Sequence, residues 1–359
     1  MITIIGAGPA GCYSAYLLAK AGKEVQIFEE HNEIGKPVQC TGLVTSSIDE
    51  ILKLKKELIV NEIDKVKIFS KNNSLELRLK NKNLILDRQK FDNYLADLAI
   101  KNGTKIFLNY RFIENKDNLI KIKYNNKSQR ILKTDYLVGA DGPLSQVAKS
   151  NNLFGKRKFL TGIQVIAKLK NENYIEFYPS IGTFAWVVPE NEEICRIGVA
   201  SYNNIGEYFN KFLKLKKINN KKIIEKQGGL IPIYGPKLKT EKDNIYLIGD
   251  AASQVKATTG GGIIQGLKAA QVLVNSIINK KNYEKEWKKV LGKDLLLHLK
   301  IRETMDKFKD KDWDFLIKLL KQNKTKEIIE KFDRDYPTKF ILKLGLNEPR
   351  LLYFLKSFF

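Results

Sequence analysis

The amino-acid sequence predicts an α/β fold with three parts: a parallel sheet with helices, an antiparallel sheet, and a C-terminal helical subdomain. A strand–glycine turn–helix–strand pattern fills residues 2–28, short strands follow one another over residues 162–200, and helical periodicity dominates residues 283–359. With 359 residues, 43% of them hydrophobic and 29% charged, the chain is globular rather than disordered. Its length allows two domains with a smaller third piece.

The N-terminal pattern has the spacing of a dinucleotide-binding βαβ unit. Residues 2–5 form an apolar strand, and the turn Gly6-Ala-Gly-Pro-Ala-Gly11 follows at once. A helical stretch then runs to about Ala21, and a second strand, residues 24–28, ends in Glu29. A lone glycine motif is weak evidence, but its position between two strands and the acid after them strengthen it.

Each small residue of this turn has a physical role in binding a nucleotide. Gly6 permits the tight turn, Gly8 lets the backbone approach a pyrophosphate, and Gly11 allows close packing of helix against strand. The free N–H groups at the helix N-terminus attract the phosphates. Glu29 can accept hydrogen bonds from both hydroxyls of an adenosine ribose.

Three later segments distinguish FAD from NAD. Residues 86–92 (Leu-Asp-Arg-Gln-Lys-Phe-Asp) lead into a helix, and residues 138–145 (Val-Gly-Ala-Asp-Gly-Pro-Leu-Ser) close a strand. Residues 245–263 contain the turn Gly249-Asp250 and the run Thr259-Gly-Gly-Gly-Ile263. Together with the βαβ unit, these segments resemble the flavoprotein hydroxylase and reductase superfamily that includes p-hydroxybenzoate hydroxylase.

The resemblance implies a Rossmann-like FAD-binding domain of the glutathione reductase type. In that superfamily the aspartate of the Gly-Asp turn holds the ribityl chain, the next helix N-terminus faces the isoalloxazine, and the backbone near Phe112 meets the adenine side. The residues expected to contact FAD are Gly6, Gly8, Ala10, Gly11, Glu29, Cys40, Thr41, Gly42, Arg88, Phe112, Asp141, Gly249, Asp250, Gly261, Gly262 and Ile263. A carboxylate suits the ribityl hydroxyls, and helix N–H groups stabilise negative charge on reduced flavin.

The domain boundaries follow from the order of these segments. Residues 1–150 and 241–282 are expected to form the two parts of the FAD-binding domain. Between them, residues 151–240 are expected to form an antiparallel substrate domain that contains a short amphipathic helix, and residues 283–359 a helical C-terminal subdomain.

Two further segments indicate which class of substrate the protein acts on. Residues 34–43 (Ile-Gly-Lys-Pro-Val-Gln-Cys-Thr-Gly-Leu) and residues 184–189 (Phe-Ala-Trp-Val-Val-Pro) look like the geranylgeranyl reductase branch of the superfamily. Archaeal members of that branch saturate the isoprenoid chains of membrane ether lipids. Four features depart from its pattern. Phe184 stands for a tyrosine, Val188 for a phenylalanine and Ala257 for a proline, and the cysteine loop is one residue shorter than in some members.

The resemblance therefore implies an FAD-dependent oxidoreductase that saturates C=C bonds of geranylgeranyl lipid chains by hydride transfer from reduced flavin. An isoprenoid alkene has no polar handle, so apolar burial must bind it, at about 0.8 kcal/mol per CH₂ group. The residues expected to contact the lipid are Phe177, Tyr178, Phe184, Trp186 and Pro189. Two alternatives stay open: an aromatic-type flavin monooxygenase, and a non-catalytic flavin-containing carrier of prenyl lipids.

The cysteines and histidines give one candidate catalytic residue. Cys40 lies in the segment that the family places beside the flavin, where its thiol either shapes the pocket or passes a proton. Cys12 and Cys195 lie in helix and strand patterns that favour packing. Neither His31 nor His298 has neighbours typical of a metal site, so we expect no metal.

Charge and cysteine content bear on location and partners. Three cysteines cannot build a disulfide framework, and an apolar strand directly after Met1 leaves no room for a signal peptide, so a cytoplasmic protein is expected. The net charge of +23 indicates either contact with an anionic membrane or a lysine-biased genome, and no motif supports nucleic-acid binding. The sequence contains no second dinucleotide motif, which leaves a nicotinamide, a ferredoxin or a deazaflavin as electron donor.

Overall fold

The structure is a computed structural model that describes residues 1–355, so the last four residues of the predicted helical subdomain, 356–359, lie outside the described part. Its strands are β1 (Ile2–Ile5), β2 (Val25–Phe28), β3 (Leu43–Val44), β4 (Ile59–Phe69), β5 (Ser74–Leu86), β6 (Lys105–Phe107), β7 (Tyr110–Lys116), β8 (Leu119–Tyr124), β9 (Ser128–Lys133), β10 (Tyr136–Gly139), β11 (Phe159–Lys168), β12 (Tyr174–Tyr178), β13 (Phe184–Pro189), β14 (Ile194–Ser201), β15 (Ile223–Pro232), β16 (Glu241–Lys242) and β17 (Ile245–Leu247). Its α-helices are α1 (Pro9–Lys20), α2 (Arg88–Lys101), α3 (Gln146–Ser150), α4 (Ile205–Leu215), α5 (Ile263–Ile278), α6 (Tyr283–Trp287), α7 (Lys293–Met305), α8 (Asp310–Leu320), α9 (Asn323–Lys331), α10 (Ile341–Asn347) and α11 (Leu352–Leu355).

The first sheet is six-stranded and mainly parallel. Its order is β16-β17-β10-β1-β2-β6, and only the edge strand β16 runs antiparallel to its neighbour. Ile4, Ile27 and Val138 in its central strands are fully buried. These strands are short apolar runs because both faces of the sheet are covered. The carboxyl ends of parallel strands meet at one edge, which places the glycine-rich turn beside the ends of β2 and β10.

The second sheet is eight-stranded, in the order β15-β11-β14-β13-β12-β4-β5-β3. All its neighbours are antiparallel except β12 and β4, which pair in parallel. The predicted domain boundaries at residues 150, 240 and 282 stay predictions. The sheet to which some strands belong nevertheless differs from the expected division of the chain. Strands β3, β4 and β5, from the segment expected to belong to the FAD-binding domain, extend the substrate sheet.

The C-terminal helices pack on the six-stranded and the eight-stranded sheets. Tyr283 and Trp287 of α6 are buried in the same core as strands β1 and β2. Ile317 of α8 is buried against Leu75 and Leu77 of β5. The predicted α/β architecture, with a Rossmann-like domain, a mainly antiparallel substrate sheet and a helical C-terminal subdomain, is confirmed.

Candidate flavin and substrate site

The glycine-rich turn connects β1 to α1 and is shaped by backbone contacts. Gly6 has φ of +102°, and a Cβ there would lie 2.4 Å from the carbonyl oxygen of Ala140. A Cβ at Gly11 would lie 2.1 Å from the carbonyl oxygen of Gly6. At Gly8, by contrast, a Cβ would meet nothing within 4 Å. The fold therefore requires glycine at two positions, and the third leaves room for a ligand to approach the backbone.

Glu29 lies directly after β2 and is 8% exposed. Its Oε2 accepts a hydrogen bond of 2.7 Å from the N–H of Ala7, within the glycine-rich turn. Its Oε1 accepts one of 3.0 Å from the N–H of His31 and lies 2.6 Å from the Nδ1 of that histidine. The carboxylate is thus fixed beside the turn, where the contact with an adenosine ribose is expected, and that contact stays a prediction.

Asp141 and Phe112 have roles in the fold as well as in the predicted site. The Asp141 carboxylate accepts hydrogen bonds from the Ser145 hydroxyl, at 2.6 Å, and from the Val147 N–H, at 3.0 Å, at the start of α3. Burial raises its pKa, although these hydrogen bonds oppose the rise. The Phe112 side chain is 3% exposed in a small core with Ile120 and Ile122. Because the side chain is buried in this core, the predicted contact of Phe112 with the adenine would have to come from its backbone.

Asp250 is a half-buried carboxylate without a hydrogen-bond donor in the described part of the chain. It follows Gly249, which has φ of +61°, and its Oδ1 would lie 3.0 Å from a Cβ at Gly262, just before Ile263 opens α5. Desolvation raises its pKa to about 6, and the nearby positive charge of Arg88 opposes the rise. An accessible carboxylate that lacks a protein donor fits a ligand hydroxyl, which is the role expected for the ribityl chain of FAD.

The cysteine loop is held against the second, eight-stranded sheet. The Cys40 Sγ accepts a hydrogen bond of 3.3 Å from the Gly42 N–H. The Thr41 hydroxyl donates to the Gln164 Oε1 at 2.8 Å. Gly42 has φ of +70°, and a Cβ there would lie 2.6 Å from the carbonyl oxygen of Leu86. These contacts fix the thiol at the wall of a cavity that the loop shares with the substrate sheet.

Arg88 pairs with a carboxylate one helical turn away. Its Nε and Nη2 lie 3.1 and 2.9 Å from the two oxygens of Asp92, a bidentate pair within α2. Burial lowers the pKa of the guanidinium, but Asp92 and Cys40 beside it outweigh burial and hold the pKa above its usual range. The arginine thus braces α2 next to the thiol, and its predicted contact with the cofactor stays a prediction.

Two buried polar residues of the substrate sheet were not predicted. Arg196 on β14 is 7% exposed, donates from Nη1 to the carbonyl oxygen of Thr41 at 2.5 Å, and pairs through Nε with Glu190 at 2.6 Å. Gln164 on β11 accepts hydrogen bonds from Thr41 and, at 2.9 Å, from the Trp186 indole. A charged residue within the apolar run of residues 194–200 was the available signal for Arg196.

A cavity of about 380 Å³ extends from the glycine loop before α5 to the C-terminal segment. Its wall includes Gly260, Gly261, Cys40 and Thr41. Most of the other lining side chains are apolar: Leu43, Val66, Ile68, Leu77, Leu79, Ile175, Phe177, Phe184, Trp186, Val188 and Ile231. Polar residues that include Asn83 and Arg334 also line it. The cavity suits a largely apolar ligand.

Strand alternation decides which of the predicted lipid contacts face this cavity. Phe177, Phe184 and Trp186 line it. Tyr178 does not line it: its ring stacks on Phe69, with ring centroids 4.6 Å apart, and its expected lipid contact stays a prediction. Pro189 also lies outside the lining, at the end of β13, where its carbonyl oxygen accepts a hydrogen bond from Asn61.

A buried ion pair connects the flavin end to the C-terminal subdomain. Lys256 lines the cavity, and its Cε would lie 2.7 Å from a Cβ at Gly261. Its ammonium pairs with Asp335, and both side chains are almost fully buried. The Asp335 Oδ2 also accepts hydrogen bonds from Thr45, at 3.2 Å, and from Ser47, at 3.4 Å. Three distant segments of the chain therefore meet behind the glycine loop.

The parallel sheet, the glycine turn with open space at Gly8 and the donor-free Asp250 define an FAD-binding protein. The FAD binding domain family matches residues 1–173, and the family described as lycopene cyclase protein matches residues 190–337. The structure resembles a geranylgeranyl bacteriochlorophyll reductase-like protein from Thermoplasma acidophilum, with a TM-score of 0.84 and 22% identity, covering 100% of this chain and 98% of that one. A flavin-dependent halogenase shares the fold with a TM-score of 0.70 and 13% identity, over 98% of this chain and 77% of that one.

Curated relatives extend the resemblance over the whole chain. The digeranylgeranylglycerophospholipid reductase of Methanocaldococcus jannaschii is 28% identical over 99% of this chain and 97% of its own length. A second protein of that name, from Methanosphaera stadtmanae, is also 28% identical, over 99% of this chain and 98% of its own. The predicted resemblance to geranylgeranyl reductase flavoproteins is thereby confirmed, and the chain is an FAD-dependent oxidoreductase.

Proposed function

We propose that this protein saturates C=C bonds in the geranylgeranyl chains of membrane lipids, with a hydride taken from reduced FAD. The observation on which the proposal chiefly rests is the mainly apolar cavity, because Gly260 and Gly261 line it together with Trp186 and Phe177. Curated relatives that match nearly the whole chain are named digeranylgeranylglycerophospholipid reductases.

The residues present fit FAD, and each has a defined task. The turn from Gly6 to Gly11 would hold the pyrophosphate, Glu29 the adenosine ribose, and Asp250 the ribityl hydroxyls. When bound, the cofactor supplies a hydride to one carbon of the double bond, and a proton must reach the other carbon. The protein contributes to the reaction through the side chains that hold the lipid.

The apolar wall positions the alkene and excludes water. Phe177 and Phe184 have ring centroids 5.8 Å apart, and Phe184 lies at the same distance from Trp186, so the three rings form one continuous surface. The Trp186 indole is fixed by its hydrogen bond to Gln164. Positioning dominates the rate of this reaction, because an isolated alkene has no charged group for the protein to polarise.

The thiol of Cys40 is the candidate acid or pocket-shaping group. It lines the cavity together with Gly260 and Gly261, and the cysteine loop is fixed by Thr41. We propose that it contacts the flavin or the alkene, with proton donation as its second possible task. The hydrogen bond from the Gly42 N–H to the Cys40 Sγ restricts rotation of the cysteine side chain.

The reaction itself provides the decisive test. Holoenzyme reduced without oxygen should add the mass of two hydrogen atoms per double bond to a geranylgeranyl lipid, as mass spectrometry would show. A product that gains one oxygen atom, and forms only in air, would indicate the monooxygenase. Tight lipid binding without reoxidation of the flavin would indicate the carrier. The apolar lining already favours reduction over hydroxylation of a small polar ring.

The electron donor is proposed to be a nicotinamide, a ferredoxin or a deazaflavin. Each reduced donor can be added anaerobically to the oxidised holoenzyme while the flavin absorbance is followed. The physiological class is the one that bleaches the flavin within the turnover time of the lipid reaction. A slower donor is excluded because it cannot sustain catalysis.

We further propose that the protein contacts an anionic membrane near the C-terminal segment that lines the cavity. Leu342 and Leu346, one turn apart on α10, are 76% and 82% exposed, and Lys339 and Lys343 lie beside them. Phe340, directly before α10, lines the cavity. Apolar side chains flanked by lysines suit the interface of an anionic bilayer. Within residues 1–355, no helix is both long enough and apolar enough to cross a membrane.

Vesicle flotation tests this contact. The protein should float with anionic vesicles, less so at high salt, and the double variant Leu342→Ser with Leu346→Ser should stay at the bottom. Ile131→Ser is the matched control, because Ile131 is 66% exposed but lies on β9, away from the cavity. No flotation of the unaltered protein at low salt would contradict the proposal.

A further inference from the structure

Lys256 is built into the glycine loop that precedes α5. Its backbone N–H donates to the carbonyl oxygen of Gly261 at 3.0 Å, and its own carbonyl oxygen accepts from the Gly260 N–H at 2.9 Å. Its side chain turns back over the same loop, since its Nζ would lie 3.1 Å from a Cβ at Gly261. Backbone and side chain together fix the ammonium group beside the two glycines.

The ion pair of Lys256 with Asp335 has a defined direction. Within residues 1–355, the wall of the large cavity includes Lys256 but not Asp335. Asp335 instead lines a separate small cavity with His298 and Gln265. The two side chains are only 6% and 1% exposed. The positive end of the pair therefore faces the large cavity, where burial makes its electrostatic effect much stronger than in water.

The groups around this pair leave its charges in place. Burial alone would raise the pKa of Asp335, but the positive charges of Lys256 and Arg334 outweigh burial and lower it, so the carboxylate is ionised at neutral pH. Burial and the Lys256 charge lower the pKa of His298 to about 3, so this imidazole is neutral and adds no charge. The pair is therefore ionised, with the Lys256 ammonium at the glycine loop.

Two requirements point to this loop as the position of the flavin ring. The ring is joined to the ribityl chain, for which Asp250 is the proposed partner, and the Asp250 Oδ1 would lie 3.0 Å from a Cβ at Gly262. The ring must also meet the lipid, and Gly260 and Gly261 line the cavity proposed for the lipid. The loop of these three glycines satisfies both requirements, and the Lys256 side chain lies against it.

We propose that the Lys256 ammonium stabilises the negative charge that the flavin ring gains on reduction, so that it raises the affinity for reduced FAD over that for oxidised FAD. This proposal rests on the proposed function, which puts the ring against the lipid cavity, and it adds a residue that sets the reduction potential. A fixed positive charge beside the place where negative charge develops needs no rearrangement during the reaction. The binding of oxidised FAD, whose ring lacks this charge, gains little from the lysine.

The test is the midpoint potential of the bound flavin, measured on the holoenzyme without oxygen and without lipid by equilibration with a dye of known potential. Lys256→Met should lower the affinity for reduced FAD at least about tenfold relative to that for oxidised FAD, which makes the two-electron midpoint about 30 mV more negative. The double variant Lys256→Met with Asp335→Asn should show a shift in the same direction, because it also lacks the ammonium. It leaves no charge buried without a partner, so it provides the test where the single variant fails to fold.

Lys268→Met is the matched control for loss of a lysine. Lys268 lies on α5, and its side chain is 14% exposed beside Tyr336. In the described part of the chain it lines the small cavity and not the large one. Its replacement should leave the midpoint potential unchanged. A shift as large as that of the double variant would indicate a general effect of positive charge and overturn the assignment to Lys256.

A purely structural role of Lys256 gives a different result. If the lysine only balances Asp335, the double variant should bind both forms of FAD with equally reduced affinity. An unchanged potential in the double variant, or an equal loss of both affinities, overturns the proposal. The shift to a more negative potential supports it even when no geranylgeranyl lipid is reduced, and that result would overturn the reductase instead.

Discussion

The glycine-rich turn and the lipid cavity differ in the atoms that shape them. In the turn the backbone determines the shape, as at Gly6 and Gly11, where any Cβ would collide with a carbonyl oxygen. In the cavity side chains determine it, with Phe177, Trp186 and Arg334 contributed by three separate elements or segments. Backbone shape depends on a few neighbouring residues, whereas a wall of side chains depends on how distant strands pair. The first kind of site tolerates almost no change, and the second can be adjusted.

The largest effect is expected at the glycine-rich turn. Gly11→Ala should abolish FAD binding and destabilise the fold, because the added Cβ would lie 2.1 Å from the carbonyl oxygen of Gly6. Gly8→Ala is the matched variant, since its Cβ would meet no protein atom within 4 Å. It should unfold at the same temperature as the unaltered apoprotein and still bind FAD at least about tenfold more weakly. Flavin absorbance and thermal unfolding measure both, and unchanged FAD affinity in Gly8→Ala would remove the proposed pyrophosphate contact.

A smaller effect is expected on the pH dependence of stability, through Asp250. Its pKa is raised from 3.8 to about 6 by burial, so the folded apoprotein holds this proton more tightly than the unfolded chain does. The free energy of unfolding contributed by this group therefore falls as pH rises between these two values, by about 3 kcal/mol in total. Denaturant unfolding of the apoprotein at pH 4 to 7 should show this loss, and Asp250→Asn should lack it. Parallel pH curves for the two proteins would contradict the assignment.

The smallest effect tests the side chains of the cavity. Cys40→Ala should keep FAD, because the fold of the loop depends on Thr41 and Gly42, but alkene reduction should slow by about tenfold. Cys195→Ala is a control for loss of a buried thiol away from the cavity. Single-turnover oxidation of the reduced flavin by the lipid gives the rate. Full activity in Cys40→Ala would leave the cysteine a packing role only.

The same contrast explains what the sequence could predict. The glycine turn and Glu29 follow from local spacing, because a short run of residues determines them, and Asp250 follows from the resemblance of a short motif to the flavoprotein superfamily. Gln164 and Arg196 could not be found in this way, since their partner Thr41 lies more than a hundred residues away along the chain. The position of Tyr178 outside the cavity lining has a related cause. Alternation predicts that neighbours in a strand face opposite sides, but only pairing with β13 decides which of them faces the cavity.

Membership of a sheet is equally non-local. Strands β4 and β5 look like a hairpin attached to the first domain, and their pairing with β12 is visible only in three dimensions. Residues 80–82, Lys-Asn-Lys, are part of one long strand, β5, which pairs with β4 through a register shift at residues 63–65 of β4.

The buried pair of Lys256 and Asp335 has a consequence for any attempt to shorten the chain. A fragment that ended before residue 335 would keep every flavin motif and yet leave the Lys256 ammonium enclosed without its counter-ion. Removing one partner of such a pair typically costs about 3–5 kcal/mol. The cost would fall on the loop of Gly261, far along the chain from the cut. The C-terminal helices thus act as a structural tether for the cofactor site, and a trimmed protein should be judged first by its flavin content.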